Sequence, residues 1–200
     1  MSDHKIFKNP ILEKLSKTNS YVAISFYIVT AIIMCVYGMS TYEITGGLVA
    51  VMVIFGLLVF TLLEYLFHRF VYHSGEDYKD QKNWQYKVHG VHHTYPIQKD
   101  LLAMPIPLAI VVASAFFLLF YWPLGYLNFF FFPGFLLGYA GYLFVHFKVH
   151  TSRPPNNMLK YLWKHHHIHH YKHEDKAFGV SSPFWDLVFN TMPPKDLKKN

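Results

Sequence analysis

The chain has 200 residues, 52% of them hydrophobic and 19% aromatic, against a charged fraction of 15% and a formal net charge of +6. That length suits one compact domain, and so much apolar surface exceeds what a water-soluble domain of this size can bury, so the composition points to a membrane. The positive balance then reads as attraction to an anionic membrane surface rather than to nucleic acid, and the lone Cys35 excludes an intrachain disulfide.

Residues 1–20 are polar and basic. The apolar run behind them is too long for the core of a cleavable signal peptide, so they read as a cytoplasmic N-terminal segment. Four stretches approach the roughly 20 apolar residues that cross a bilayer: about 21–39, 46–67, 101–122 (with Pro105 and Pro107 near its start) and 126–147. Pro123-Leu124-Gly125 would turn the last two into a tight hairpin. The connections at 40–45 and 123–125 hold no Lys or Arg, so all 18 fall on one side with both termini and the 68–100 segment. The positive-inside rule makes that side cytoplasmic. Trp84, Trp163 and Trp185 would sit there at headgroup level, and Trp122 at the opposite interface. Gly134, Gly138 and Gly141 have the spacing that lets a neighbouring helix approach closely. The expected fold is an all-α integral membrane protein of one domain, residues 1–200. Its four transmembrane helices carry a cytoplasmic helical cap.

That cap carries histidines. Of 14 in the chain, only His4, expected to be a solvated terminal residue, precedes residue 68. Boxes fall in 68–93 and 146–170: HRFVYH (His68, His73), HGVHH (His89, His92, His93), HFKVH (His146, His150) and HHHIHH (His166, His169, His170). On a helix, residues i, i+3 and i+4 share a face, so HxxHH aims three imidazoles at one point and HxxxH two. Five residues turn about 500°, which leaves His68 and His73 roughly 140° apart on an ideal helix. They converge on one metal only if the helix ends or distorts, or else they bind different ions. Ten imidazoles are too many for one ion, and about five nitrogens each suits two first-row transition metals. His165 and His167 point away from the ligand face, whereas His173 extends it as a spare ligand or a supporting group. Metal-bound imidazoles need partners for their other nitrogen. Glu64, one turn before His68, is expected to accept that bond from His68, and Asp186 either does similar work or sits as a helix N-terminal charge.

EYLFHRFVYH, HGVHHTYP, HFKVH and HHIHHYKHEDKAFGVSSPFWDLVFNT together resemble the fatty acid hydroxylase superfamily, and within it the fatty acid 2-hydroxylases, from about Leu63 to Thr191. The resemblance implies a dimetal centre on the ten boxed histidines that uses O₂ to hydroxylate a lipid acyl chain beside its carbonyl, often in a sphingolipid, and the strong oxidant this needs makes two iron ions the expected metals. It implies localisation to the endoplasmic reticulum if eukaryotic or the inner membrane if bacterial. Many relatives carry a fused haem domain. With only residues 1–20 before the first span, electrons are expected from a separate cytochrome or ferredoxin with its reductase. Where relatives often have Tyr-Asp before the third box, Tyr142 is kept and Leu143 replaces the acid, which leaves the head group open.

Acyl C–H activation requires redox metal. Zinc has no redox chemistry and would occupy the site only as a substitute. Tyr142, one turn before His146, is expected to line the site near the reacting carbon. Rival readings within the superfamily are a sterol methyl oxidase, a lipid desaturase and a carotenoid hydroxylase. A membrane metal transporter or buffer is more distant, because transporters hold ligands near the bilayer midplane.

Overall fold

A computed structural model describes residues 5–75 and 79–194, which leaves His4 outside the described residues. Helices account for its regular structure, and no strand occurs among the described residues. A short helix α1 (Pro10–Ser16) precedes the long α2 (Ser20–Thr41) and α3 (Gly46–Phe67). After a one-turn helix α4 (Val91–Thr94), α5 (Ile106–Leu124) and α6 (Asn128–Thr151) fold back on each other, and α7 (Lys160–Tyr171) and α8 (Phe184–Val188) complete the chain. Three stretches are long and apolar enough to cross a membrane: Ser20–Thr41, Gly46–Tyr72 and Lys99–Thr151. The third contains both α5 and α6. Their break falls at the 3₁₀ turn Gly125–Leu127, with Pro123 still inside α5, later than the expected turn. Gly125 takes φ 54°, a left-handed value that glycine adopts without the Cβ penalty. The third apolar helix starts at Ile106 rather than near Leu101, because Pro105 and Pro107 favour a helix start and break a helix interior.

Helix α6 is the centre of the fold and packs along both α2 and α3. Small residues set the approach. Gly134 lies against the Val53 backbone, Gly56 of α3 against the Phe131 carbonyl, and Gly138 against the Phe60 ring. Gly141 faces open space and takes no part. Aromatic side chains fill the remaining core, with Phe60 edge-on to Phe135 at 5.4 Å and Tyr27 edge-on to Tyr139 at 4.6 Å. The outward faces of α2, α3 and α5 expose Ile33, Val51, Ile54 and Leu118 by more than half. Apolar residues on both core and outer faces mark helices solvated by lipid rather than water. Trp122 is almost fully exposed at the end of α5, while Trp163 is buried, contrary to its expected headgroup position, because its ring N–H donates to the Ser152 carbonyl at 2.9 Å.

Candidate metal centre

All ten boxed histidines meet at the end of the bundle where α3 and α6 finish. They form two groups, His68, His73, His89, His93 and His169, and His92, His146, His150, His166 and His170. In each group one nitrogen per ring lies within 4.8 Å of the others. Five and five matches the expected share. The way the boxes are dealt out does not, since each HxxHH divides between the groups. Successive residues turn 100° on a helix, so the i+3 position stands about 60° to one side of the first histidine and i+4 about 40° to the other. His89 and His93 serve the first group and His92 the second, while His166 and His170 serve the second and His169 the first. Each HxxHH box therefore ties the two groups together.

His68 and His73 do converge, and distortion is the reason. Residues His68–Tyr72 form a π turn, closed by the His73 amide donating to the His68 carbonyl at 3.3 Å. Widening the helix by one residue carries the fifth position back to the face of the first, a local device that recurs at functional sites. A second π turn, Tyr86–Gly90, leads into α4 and brings His89 into line.

The donor set suits a cation. Neighbouring Nε2 atoms lie 2.8–3.1 Å apart in six pairs, among them His73–His89, His89–His93 and His146–His92. Two nitrogens bound about 2.1 Å from one ion at right angles would stand about 3.0 Å apart. His68 donates Nδ1–H to the Phe178 carbonyl at 2.5 Å, and His169 donates Nδ1–H to the Lys176 carbonyl at 2.8 Å. A neutral imidazole has one N–H, so both rings turn an Nε2 lone pair inward. The His68 Nε2 is buried without a hydrogen-bond partner among the described residues. Crowded lone pairs in a buried place call for positive charge at their centre. Protons do not supply it near neutrality. Burial and the neighbouring His169 push His73 down to about 3, burial pushes His169 down to about 4, and burial holds His89, His92 and His166 well below the usual histidine range. The imidazoles stay neutral and free to bind metal.

The supporting residues differ from expectation. Among the described residues Glu64 forms no hydrogen bond with His68. Its carboxyl accepts the amides of Val180 and Ser181 at 2.8 and 2.9 Å and the Ser181 hydroxyl. Asp186 accepts the amides of Phe178 and Gly179, the Thr191 hydroxyl and His165 Nε2–H, so it too meets no boxed imidazole. Burial raises the Asp186 pKa, but the bonds from His165, Thr191 and Gly179 outweigh it and hold the carboxyl below its ordinary range. His165, expected to point away, is buried against Asp186. His173 is half-buried in the turn after α7 and joins neither group. The carbonyls of Lys176 and Phe178, which do orient boxed imidazoles, have no signature in the sequence, because every residue carries one. The KAFGVSSPFWD run that presents them is their one trace in the sequence.

Beside the histidines lies an apolar cavity of about 420 Å³. It opens on His68, His92 and His146 and runs between α3, α5 and α6 past Tyr142 to Phe116 and Phe135. From His146 to Phe135 along α6 is about 16 Å at 1.5 Å per residue, roughly half of the ~30 Å hydrocarbon core of a bilayer. Tyr142 stacks on His146 with centroids 5.3 Å apart, and Leu143 lines the same wall.

Residues 53–191 match the family model described as fatty acid hydroxylase. The chain belongs to the fatty acid hydroxylase family. Among its relatives, the ceramide very long chain fatty acid hydroxylase scs7 of Schizosaccharomyces pombe is 35% identical over 190 residues, covering 92% of this chain and 53% of that protein. A dihydroceramide fatty acyl 2-hydroxylase of Arabidopsis thaliana is 35% identical over 153 residues, covering 72% of this chain and 62% of the relative. The solved structure titled full-length scs7p, with only its hydroxylase domain visible, superposes with a TM-score of 0.84 at 32% identity, over 97% of this chain and 74% of that one. This member of the hydroxylase family therefore spans about half to two-thirds of the length of these two sequence relatives.

Proposed function

We propose that the chain is a membrane-bound dimetal oxygenase that hydroxylates a lipid acyl chain at the carbon next to its carbonyl. The observation that carries this reading is the pairing of two five-imidazole groups with an apolar cavity that begins at them. The five histidines of each group would each hold one ion. Iron is the metal of choice, with zinc as a substitute after purification, and it would supply the redox chemistry that O₂ activation needs. The protein binds the acyl tail along the cavity through apolar contact with Phe60, Phe116 and Phe135, excludes water from the site, and sets how deep the tail enters. A tail lying there brings its carbonyl end to His68, His92 and His146. A mid-chain target would require apolar chain to fold back at about 25 cal/mol per Å² exposed. Tyr142 lies where the tail meets the imidazoles and holds His146 by stacking. The names of the relatives, ceramide and fatty acyl hydroxylases, support a sphingolipid N-acyl chain or a fatty acid as substrate. Helices α5 and α6 would each cross the bilayer, which gives four spans with both termini and the metal site cytoplasmic. A separate redox protein would deliver electrons there. The test is lipid analysis of a host expressing the chain: 2-hydroxy acyl lipids accumulate with the natural sequence and disappear with His92→Ala. Accumulation of desaturated lipid, or of no new product from a folded and metal-loaded protein, would refute the assignment.

A further inference from the structure

We infer that the two imidazole groups are unequal metal sites, and that the segment 176–181 makes the first group (His68, His73, His89, His93, His169) the tighter one. This inference rests on the dimetal reading above. In the first group two imidazoles are pinned from behind, His169 by the Lys176 carbonyl and His68 by the Phe178 carbonyl. The residue between these carbonyls, Ala177, is fully buried with φ 59°, a left-handed conformation that costs an alanine strain. That conformation is held in place from several directions. The Ala177 amide donates to the Thr191 carbonyl at 2.9 Å, Asp186 takes the next two amides, and Glu64 takes the two after those. His165 steadies Asp186 from α7, and Thr191 is gripped by both Asp186 and the Tyr65 hydroxyl. Among the described residues neither acid bonds a boxed imidazole, yet together they fix the two carbonyls that do.

Among the described residues the second group is backed less firmly. The Nδ1 atoms of His92, His166 and His170 are buried and form no hydrogen bond among the described residues. The Leu102 backbone approaches His146 from behind, but among the described residues the His146 Nδ1 makes no well-aligned hydrogen bond. Imidazoles oriented by an outer hydrogen bond are preorganised and more basic, and loss of such a partner typically costs about 10–100-fold in metal affinity. The two sites are therefore expected to differ by at least about tenfold. Glu64, Asp186 and His165 are positioning residues for the first site alone.

The test is zinc retention by the full-length protein in detergent. The zinc-loaded chain is equilibrated against chelator-buffered free Zn²⁺, and bound zinc per chain is counted. The expected curve has two steps at least about tenfold apart in free zinc. His150→Ala should abolish the weaker step and leave the tighter unmoved, and Asp186→Asn should move the tighter step toward the weaker without moving the weaker. A single step of two ions, or loss of the tighter step in His150→Ala, would overturn the inference while leaving two metals intact. Uptake of no more than one ion by the folded natural protein would overturn the dimetal reading and this inference with it.

Discussion

Glu64 stands one turn before His68, yet its carboxyl faces the amides of Val180 and Ser181. Side-chain spacing along one helix cannot reveal a partner 116 residues away. The contacts make different substitutions unequal. In Glu64→Gln the amide oxygen can keep both N–H bonds and the Ser181 hydroxyl can reverse, so the loss should be about 1 kcal/mol. Glu64→Leu orphans both amides, at about 1–3 kcal/mol each when buried. Thermal unfolding checks that order, and equal damage from both would mean that the carboxylate charge itself matters. The histidines set a pH dependence. Folding depresses the pKa of His73 to about 3 and of His169 to about 4, from an unfolded value near 6.5. The unfolded chain therefore takes up protons first as pH falls. Stability of the metal-free protein is fully present above about pH 6.5 and declines below it, by up to about 1.4 kcal/mol per pH unit for each such imidazole, until the folded values are passed. Unfolding midpoints of metal-free protein at pH 7.5 and 5.5 should show the drop, and a flat profile would contradict the burial of neutral imidazoles.

At the scale of elements, α2, α3 and α6 could be read from apolar length, since a bilayer demands a fixed run, and each observed helix extends at most a few residues past its expected ends. The four boxes were also legible, because imidazole is a strong ligand and its spacing is visible. Their division between two groups follows from the 100° step per residue, but only once the positions of both groups are known. The π turn at His68–Tyr72 leaves only the odd five-residue spacing as a trace, and the one at Tyr86–Gly90 leaves none. The small-residue face of α6 was foreseen, but not which glycine mattered. A Cβ on Gly134 would strike the Val53 carbonyl, whereas one on Gly141 meets nothing. Gly134→Ala should cost about 1–3 kcal/mol by overpacking the α3–α6 contact, and Gly141→Ala should be close to neutral. Thermal unfolding in detergent compares them, and equal tolerance would contradict the close approach of these helices.

Across the whole molecule, α6 joins the two parts of the candidate site, as its last turns carry His146 and His150 and its middle walls the apolar cavity. In the proposed four-span topology the one-sided distribution of Lys and Arg would put both termini in the cytoplasm. A reporter fused after Asn200 should be active in the cytoplasm, and activity only on the opposite face would reverse the topology. The central claim is that an acyl chain seated in this cavity is hydroxylated next to its carbonyl. The most direct measurement supplies an acyl lipid deuterated at that carbon, ¹⁸O₂ and a matching reductase system, then locates the label by mass spectrometry. The account predicts a product with one labelled oxygen and one deuterium fewer at the carbon next to the carbonyl. A labelled hydroxyl at mid-chain, or a new double bond with no labelled oxygen, would contradict it.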